Sequence, residues 1–551
     1  MTKSKSTLIK ILVTIILFIT LASGITIYKT DSLIKNLVVL KLNQSLRNND
    51  YSLYDYSLDN IKVKFWLGNL KINNFAISLK PSALDSLRKN NIKKRELLEG
   101  NFSSLNINGF HLYELLFSHK IIAKNIILTS PKVKIYFNPE VKKNKKNKFD
   151  LDSVFSSINP NISIDKMELK EANLKIINVL KDSISTFGID GCSFSLNDLI
   201  IDSSTIPTPL RISYSSFSCG SGKSELYIND DYSFTMDDFF YDSEEKQLQF
   251  TGINITHNCS KKEYIKKTKD DTPFYKISFD KLNIDLSIGN IIEDELIRIK
   301  KIDLEKLNVF VYQNKMHKIR PSKTKPLVAT MIRTIPTSLL IQEIKLKDCL
   351  FSYEFQDHSI KGKTLRLDFG KSDIRIANIT NNDSVLARNN ILNINATSYF
   401  MYKEKVNLNI AIKLTSKIES FTVRGHLGMM NFTDVNPIIE KIAPVSFISG
   451  KINAIDFNFK ANKYNSKGIM DFHYSDVRLK VLQNDSGERK TKPVLSMLLN
   501  NVLKKNNIPN TKKYKAGIIN TPFNSKKSLL NYLWQSIKSG LISSLKHSKN
   551  K

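Results

Sequence analysis

Hydrophobic and polar residues alternate along most of the chain, and the segment Ile341–Tyr353 shows the pattern best. Counted from Ile341, apolar side chains fall at offsets 0, 3, 5, 10 and 12, with polar residues between them. A period of two, a short polar interruption and a second period of two are typical of half-buried strands. The segment therefore predicts two strands joined by a tight turn.

The same spacing occurs in four further segments, so one β unit is used repeatedly. The five repeats begin at Leu67, Ala123, Ile164, Ile299 and Ile341. A sheet built from such units has one apolar face, and its apolar residues at offsets 3 and 5 are the predicted lining of a groove. These residues are Leu70, Ile72, Ile126, Leu128, Met167, Leu169, Ile302, Leu304, Ile344 and Leu346.

An antiparallel sheet with one apolar face must cover that face. It can close into a barrel, pack as a sandwich, or curl into a trough whose inside stays apolar. A trough that is exported and tethered to a membrane would suit acyl chains, which lie on apolar surface while their headgroups stay in water.

The N-terminus has the pattern of a membrane anchor. Residues 1–10 carry three lysines and no acid, and Ile11–Tyr28 has no charge over about 18 residues, near the lower limit for a spanning helix. This arrangement predicts a cytoplasmic N-terminus and an exported body. A cleaved signal peptide is the alternative, because Ala22-Ser23-Gly24 offers small residues at cleavage spacing. Residues 29–50 are predicted to form a helical stalk.

The remaining chain is divided by its periodicity into three parts. An N-terminal β-groove region is predicted for residues 51–320, a C-terminal β region for 321–482, and a helical cap or tail for 483–551. In the tail, a set of apolar residues is predicted to share one helical face that caps the sheet or, alternatively, lies in a membrane interface. They are Leu529, Leu530, Leu533, Trp534, Ile537 and Leu541.

The net charge of +31 is compatible with nucleic acid or an anionic membrane as a partner. Lysine accompanies asparagine and isoleucine throughout, however, and most lysines lie on the polar positions of alternating strands. A solvated polar face is therefore the favoured interpretation, and no nucleic-acid surface is predicted. The lysine-rich run 142–148 is interpreted as a solvated loop, with an anionic lipid or polymer contact as the alternative.

The sequence contains no recognisable catalytic, cofactor or metal motif. Its four cysteines are far apart, and its eight histidines show no ligand spacing. Gly222-Lys223-Ser224 resembles the end of a phosphate-binding loop, but Phe217 occupies the position of the required first glycine. Gly220 and Gly222 are interpreted instead as hairpin-turn glycines. The chain is therefore predicted not to be an enzyme.

In these features the sequence resembles the AsmA-like family of Gram-negative bacteria, in its shorter Bacteroidetes-type form. The resemblance rests on the N-terminal anchor, the repeated strand pattern and several short motifs. These motifs are Ile335-Pro336, Asn378-Ile379-Thr380-Asn381, Asn436-Pro437, Ala443-Pro444, Ile448-Ser449-Gly450-Lys451-Ile452 and Lys526-Lys527-Ser528-Leu529-Leu530-Asn531-Tyr532-Leu533-Trp534.

The resemblance implies a single-pass inner-membrane protein with its bulk in the periplasm. It also implies a β-groove that carries phospholipid between membranes during outer-membrane biogenesis. The expected fold is a transmembrane helix followed by an elongated, curved antiparallel β-sheet groove with short capping helices. An envelope assembly factor that binds an outer-membrane or envelope protein remains the alternative.

Overall fold

The computed structural model describes residues 53–545 apart from short internal gaps. The gaps are residues 65–66, 90, 92–94, 112–113, 115–116, 119, 142–160, 181–184, 203–210, 287–295, 317–323, 358–362 and 486–487. The predicted anchor at 11–28, the stalk at 29–50 and the lysine-rich run at 142–148 lie outside the described residues. The described chain is mainly β and divides into two compact units after Phe250, whereas the sequence pattern suggested a boundary after residue 320.

The strands of the first unit are β1 (Tyr54–Lys64), β2 (Asn69–Leu79), β3 (Glu96–Asn108), β4 (Lys120–Thr129), β5 (Lys132–Phe137), β6 (Asn161–Asn178), β7 (Ser185–Asp202), β8 (Arg211–Ser213), β9 (Ser216–Ser221), β10 (Ser224–Tyr227), β11 (Tyr232–Met236) and β12 (Asp238–Asp242). The division between the units falls within β13 (Gln247–His257). One helix is described in this unit, α1 (Pro81–Arg88).

The strands of the second unit are β14 (Phe274–Leu286), β15 (Leu296–Glu305), β16 (Asn308–Asn314), β17 (Ser338–Gln356), β18 (Thr364–Thr380), β19 (Ile391–Phe400), β20 (Glu404–Lys413), β21 (Phe421–Leu427), β22 (Met430–Asn431), β23 (Val445–Ala461), β24 (Asn465–Asp485), β25 (Glu488–Thr491) and β26 (Gly517–Pro522). Its helices are α2 (Lys261–Lys267), α3 (Val328–Arg333), α4 (Asp383–Arg388), α5 (Asn436–Ile442), α6 (Pro493–Val502) and α7 (Leu529–Leu545).

The repeats are long bent strands, and the prediction that each forms a hairpin is wrong. The third and fifth repeats lie within the single strands β6 and β17, of 18 and 19 residues. The second repeat spans β4 and β5, which both pair antiparallel with β3 and therefore run in the same direction. The fourth repeat spans β15 and β16, which both pair antiparallel with β14 in the same way.

A left-handed residue at offset 7 takes the place of the predicted turn in every repeat. The residues are Asn74, Ser130, Glu171, Lys306 and Asp348, with φ values of 48°, 47°, 54°, 53° and 52°. A single left-handed residue acts as a β-bulge, which bends the strand and shifts the side-chain alternation by one position. The shift places the apolar residues at offsets 3 and 5 on the same face as those at offsets 10 and 12.

Neighbouring repeats pair with each other in parallel and in register. Ile126 lies opposite Met167 and Leu128 opposite Leu169 where β4 joins β6. In the second unit Ile302 lies opposite Ile344 where β15 joins β17. The sheet is therefore mainly antiparallel, but each unit contains one parallel step, which the predicted all-antiparallel sheet lacked. A parallel step needs a long connection between its strands, and 23 residues separate β5 from β6 and 23 separate β16 from β17.

The two units contain the same series of strands. In the first unit, β3 pairs with the broken strand β4–β5, which pairs in parallel with β6, and β6 pairs antiparallel with β7. In the second unit, β14, β15–β16, β17 and β18 follow in the same order and with the same directions. The strand β3 has 13 residues and so has β14, while β7 has 18 and β18 has 17. The series is thus an internal structural duplication.

Two further local predictions need correction. Gly220 and Gly222 do not form a hairpin turn, because β9 and β10 on either side both pair antiparallel with β7. They continue one strand, and the nitrogen of Gly222 donates to the carbonyl oxygen of Asp190 across the ladder. The tail at 483–551 is not wholly helical, since β24 extends into it, pairs with β25 and also pairs with β26.

Replacement of Asp348 by valine tests the left-handed geometry. A β-branched side chain is strained at positive φ, so we expect the free energy of unfolding to fall by about 1–2 kcal/mol. Asp348→Gly relieves that strain and should be neutral or stabilising. Urea denaturation followed by circular dichroism measures both. A valine variant as stable as the wild type would contradict a left-handed residue at offset 7.

Candidate functional site

Two rows of apolar side chains cross the strands of the first unit. Each row is formed by residues that lie directly opposite one another on successive strands, so that β1, β2, β3, β4, β6, β7 and β9 each contribute one residue to each row. The first row is Val63, Leu70, Ile107, Ile126, Met167, Leu196 and Phe217. The second row is Ile61, Ile72, Leu105, Leu128, Leu169, Phe194 and Cys219. All six predicted lining residues of this unit therefore lie in the two rows.

Two equivalent rows cross the second unit from β14 to β26. They are formed in the same way, by direct opposition across the ladder. The first row is Ile284, Ile302, Ile344, Ile376, Ile394, Ile410, Val423, Phe459, Gly468 and Ile519. The second row is Leu282, Leu304, Leu346, Ile374, Ala396, Leu408, Gly425, Phe457, Met470 and Gly517. The four predicted lining residues of this unit lie side by side in these rows.

The rows are covered to different extents along their length. In the first unit Leu70 and Ile72 are fully buried in a core cluster against which Ile126, Leu128 and Met167 pack. In the second unit the four predicted lining residues are only half-buried. They belong to none of the core clusters found among the described residues. The C-terminal end of the same rows is fully buried, as at Val423, Phe459, Met470 and Ile519.

The polar residues between the row residues point to the opposite face of the sheet, because successive side chains alternate. They are joined by ion pairs: Glu168 lies 2.9 Å from Lys166, and Lys345 lies 3.1 Å from Glu343. Hydrogen bonding from Lys166 lowers the pKa of Glu168, and hydrogen bonding from Arg375 lowers the pKa of Glu343. These carboxylates stay ionised, so this face of the sheet is charged while the other is apolar.

The helix α7 covers the C-terminal end of the rows. Tyr532 and Leu533 are buried in the core cluster of the second unit, and Leu529, Ile537 and Leu541 pack against that cluster. The helix also makes polar contacts with β26, since the nitrogen of Asn520 donates to Ser539 Oγ at 3.1 Å.

Two of the six residues predicted to share one face of α7 point outwards. Leu530 is 77% exposed and Trp534 is 51% exposed. The buried stripe instead includes Tyr532, Ser536, Gly540 and Ser544, spaced four residues apart. Ser536, Gly540 and Ser544 are small and allow a close approach, and a Cβ atom on Gly517 of β26 would lie 2.3 Å from the carbonyl oxygen of Gly540. The apolar pattern located Leu529, Leu533, Ile537 and Leu541 correctly but missed Ser536, Gly540 and Ser544, because these residues are small or polar.

Two of the motifs behind the family resemblance hold loops against strands. Asn381 Nδ2 donates to the carbonyl oxygens of Ile335 and Thr337, at 3.0 and 2.9 Å. The side chain of Asn436 bonds both the nitrogen and the carbonyl oxygen of Phe447. These asparagines have a structural role and do not form a site.

The part of the chain that the structure describes contains no cluster of three or more histidine, cysteine or acidic side chains that could hold a metal ion. The four cysteines are free thiols. One contact missed at the sequence level joins His257 Nδ1 to Cys259 Sγ at 3.3 Å. It lies beside an aromatic cluster of Tyr264, Phe274 and Tyr312, where the imidazole stacks on Phe274. This environment is typical of side chains that pack in a hydrophobic core.

No protein-family model matches this sequence. No curated protein shows significant similarity to it either. Among the described residues, no helix combines the length and the hydropathy that crossing a bilayer requires.

Substitutions on the two faces of α7 test whether the helix packs on the sheet in the observed orientation. Leu533→Ala removes a buried side chain from the core, so we expect a loss of about 2–5 kcal/mol in the free energy of unfolding. Leu530→Ala, three residues earlier on the exposed face, should change it by less than about 0.5 kcal/mol. Chemical denaturation measures both variants, and equal effects would contradict the observed orientation of the helix.

Proposed function

We propose that this protein binds or transfers phospholipid along an apolar β-groove during outer-membrane biogenesis. In this proposal a transmembrane helix at 11–28 anchors the chain in the inner membrane, and the elongated, curved sheet lies in the periplasm with short capping helices. The observation that carries the proposal is the pair of apolar rows in the second unit, whose central residues remain half-buried.

The half-buried rows have the chemistry that acyl chains require. Burial of a methylene group removes apolar surface from water and contributes about 0.8 kcal/mol. The residues around Ile344 and Leu346 offer such a surface over several adjacent strands. The opposite face carries ion pairs such as Arg375 with Glu343, and therefore stays in water. A ligand with long apolar tails and a polar head matches this division.

The proposal needs no catalytic residue, cofactor or metal ion. Movement of a lipid along matched rows changes no covalent bond, and each strand offers nearly the same apolar contacts as its neighbour. The resemblance to the AsmA-like family and the uncharged run at 11–28 add support from the sequence.

The alternative is a non-enzymatic assembly factor that binds an envelope protein. In this alternative the strand β1 is of interest, which pairs antiparallel with β2 along one edge. The other edge of β1 could add a strand from a partner. A protein partner without lipid would then occupy the sheet edge, and the apolar rows would be ordinary core.

Site-specific photocrosslinking in the native envelope tests the lipid proposal. A benzophenone amino acid is placed at Leu346, in the half-buried row, in cells whose phospholipids carry radioactive phosphate. We expect labelled protein after irradiation, because an acyl chain on the row would lie within reach of the probe.

The matched control is the same probe at Lys347, which is exposed and adjacent in sequence. It should give at most background label. Leu346→Asp should reduce crosslinking at a second row position, Ile302, because the charge makes the row unfavourable for an acyl chain. Equal label at Leu346 and Lys347 would contradict the groove, and a crosslinked protein without lipid would favour the assembly factor.

A further inference from the structure

The helix α6 is attached to the sheet by its polar side. Ser496 is buried, and its Oγ accepts a hydrogen bond of 2.8 Å from the nitrogen of Val481 in β24. Asn500 Oδ1 accepts from the nitrogen of Leu479 at 3.0 Å, and its Nδ2 donates to the carbonyl oxygen of Leu479 at 2.7 Å. Ser496 and Asn500 thus satisfy backbone N–H and C=O groups on one edge of β24. The strand β23 pairs with the other edge of β24.

The apolar side of α6 consequently faces away from the sheet. Four of its side chains are largely exposed: Val494 at 73%, Leu495 at 45%, Met497 at 68% and Leu498 at 57%. The helix has the sequence PVLSMLLNNV and contains no charged residue. Surface helices of soluble proteins normally show the reverse arrangement, with apolar residues against the core. A group of exposed apolar residues on one short helix marks an interaction surface.

Basic residues flank the helix α6 along the chain. Lys492 precedes the helix as its N-terminal flanking residue and is exposed, and Lys505 follows the helix and is also exposed. Arg478, next to the contacted residue Leu479, is exposed as well. Apolar side chains flanked by lysine and arginine match the interface of an anionic bilayer, where the apolar groups enter the acyl boundary and the cations meet phosphate groups.

We propose that α6 docks on an anionic phospholipid bilayer, with Val494, Leu495, Met497 and Leu498 in the interface. The proposal is independent of whether the apolar rows carry lipid, and it concerns a different surface from the predicted anchor. Its occupant is a lipid surface, because the helix presents an exposed, uncharged apolar face and is flanked by lysines.

Vesicle capture by the full-length protein tests this docking. The protein is held in phosphatidylcholine nanodiscs whose scaffold is immobilised, so that its own N-terminal segment does not report on added membrane. Vesicles of phosphatidylcholine, with or without 30% phosphatidylglycerol, are passed over it. We expect capture of the anionic vesicles and at least about tenfold less capture of the neutral ones, because each nearby cation adds electrostatic attraction.

The triple variant Val494→Ser, Met497→Ser and Leu498→Ser should capture anionic vesicles at least about tenfold less well, since three apolar contacts are lost. The matched control is Ile469→Ser with Ile518→Ser, an exposed cross-strand pair of the same unit, at 56% and 63% exposure. This control should capture vesicles as the wild type does. If the triple variant loses its fold by circular dichroism, the single variant Met497→Ser is used, with a smaller loss expected.

Three results would overturn the proposal. The first is undiminished capture by a folded variant of α6. The second is equal capture of neutral and anionic vesicles by the wild type. The third is no capture of anionic vesicles by the wild type, and an envelope protein that binds the wild type but not Met497→Ser would then assign the surface to a protein partner.

Discussion

The left-handed residue at offset 7 is the constraint on which the rest of the sheet depends. In a straight strand, the apolar residues before and after this position would fall on opposite faces, because side chains alternate strictly. One extra residue with positive φ, such as Glu171 or Asp348, restores a single apolar face along a strand of 18 or 19 residues. That geometry costs a non-glycine residue roughly 1–2 kcal/mol. The cost is offset by the apolar contacts made on both sides of the bulge.

Because the bulge has the same offset in neighbouring repeats, the repeats pair in register. Ser130 joins β4 to β5 and lies beside Glu171 of the parallel strand β6, and Lys306 joins β15 to β16 and lies beside Asp348 of β17. A bulge in only one of two neighbours would break the alignment of the rows on one side of it. The matched bulges instead continue each row across the parallel step. The duplicated strand series thus has the same alignment of apolar side chains in both units, as well as the same order of strands.

The sequence predicts much of this and misses the rest for identifiable reasons. Alternation locates the strands and the ten row residues, because burial of one face leaves a period of two. It does not separate a bulge from a hairpin turn, since residues such as Asn74 and Asp348 are common in both. The parallel step is hidden because pairing partners are far apart in the chain. The orientations of α6 and α7 are not predicted, because Ser496, Asn500 and Gly540 face the sheet. A helical pattern counts only apolar residues and therefore does not include these three.

The distribution of burial along the rows limits where a lipid could lie under the proposed function. From β14 to β19 the row residues are half-buried and of similar size, chiefly leucine and isoleucine. Further on, the ring of Phe457 fills the space above Gly425, where a Cβ atom would come within 2.0 Å of the ring, and α7 packs over Met470. The same rows therefore change from half-buried residues to a closed core along their length. An acyl chain following them would be stopped by packed aromatic side chains. Exchange of lipid would then take place beside the rows or at their open end, and the covered end would serve to stabilise the sheet.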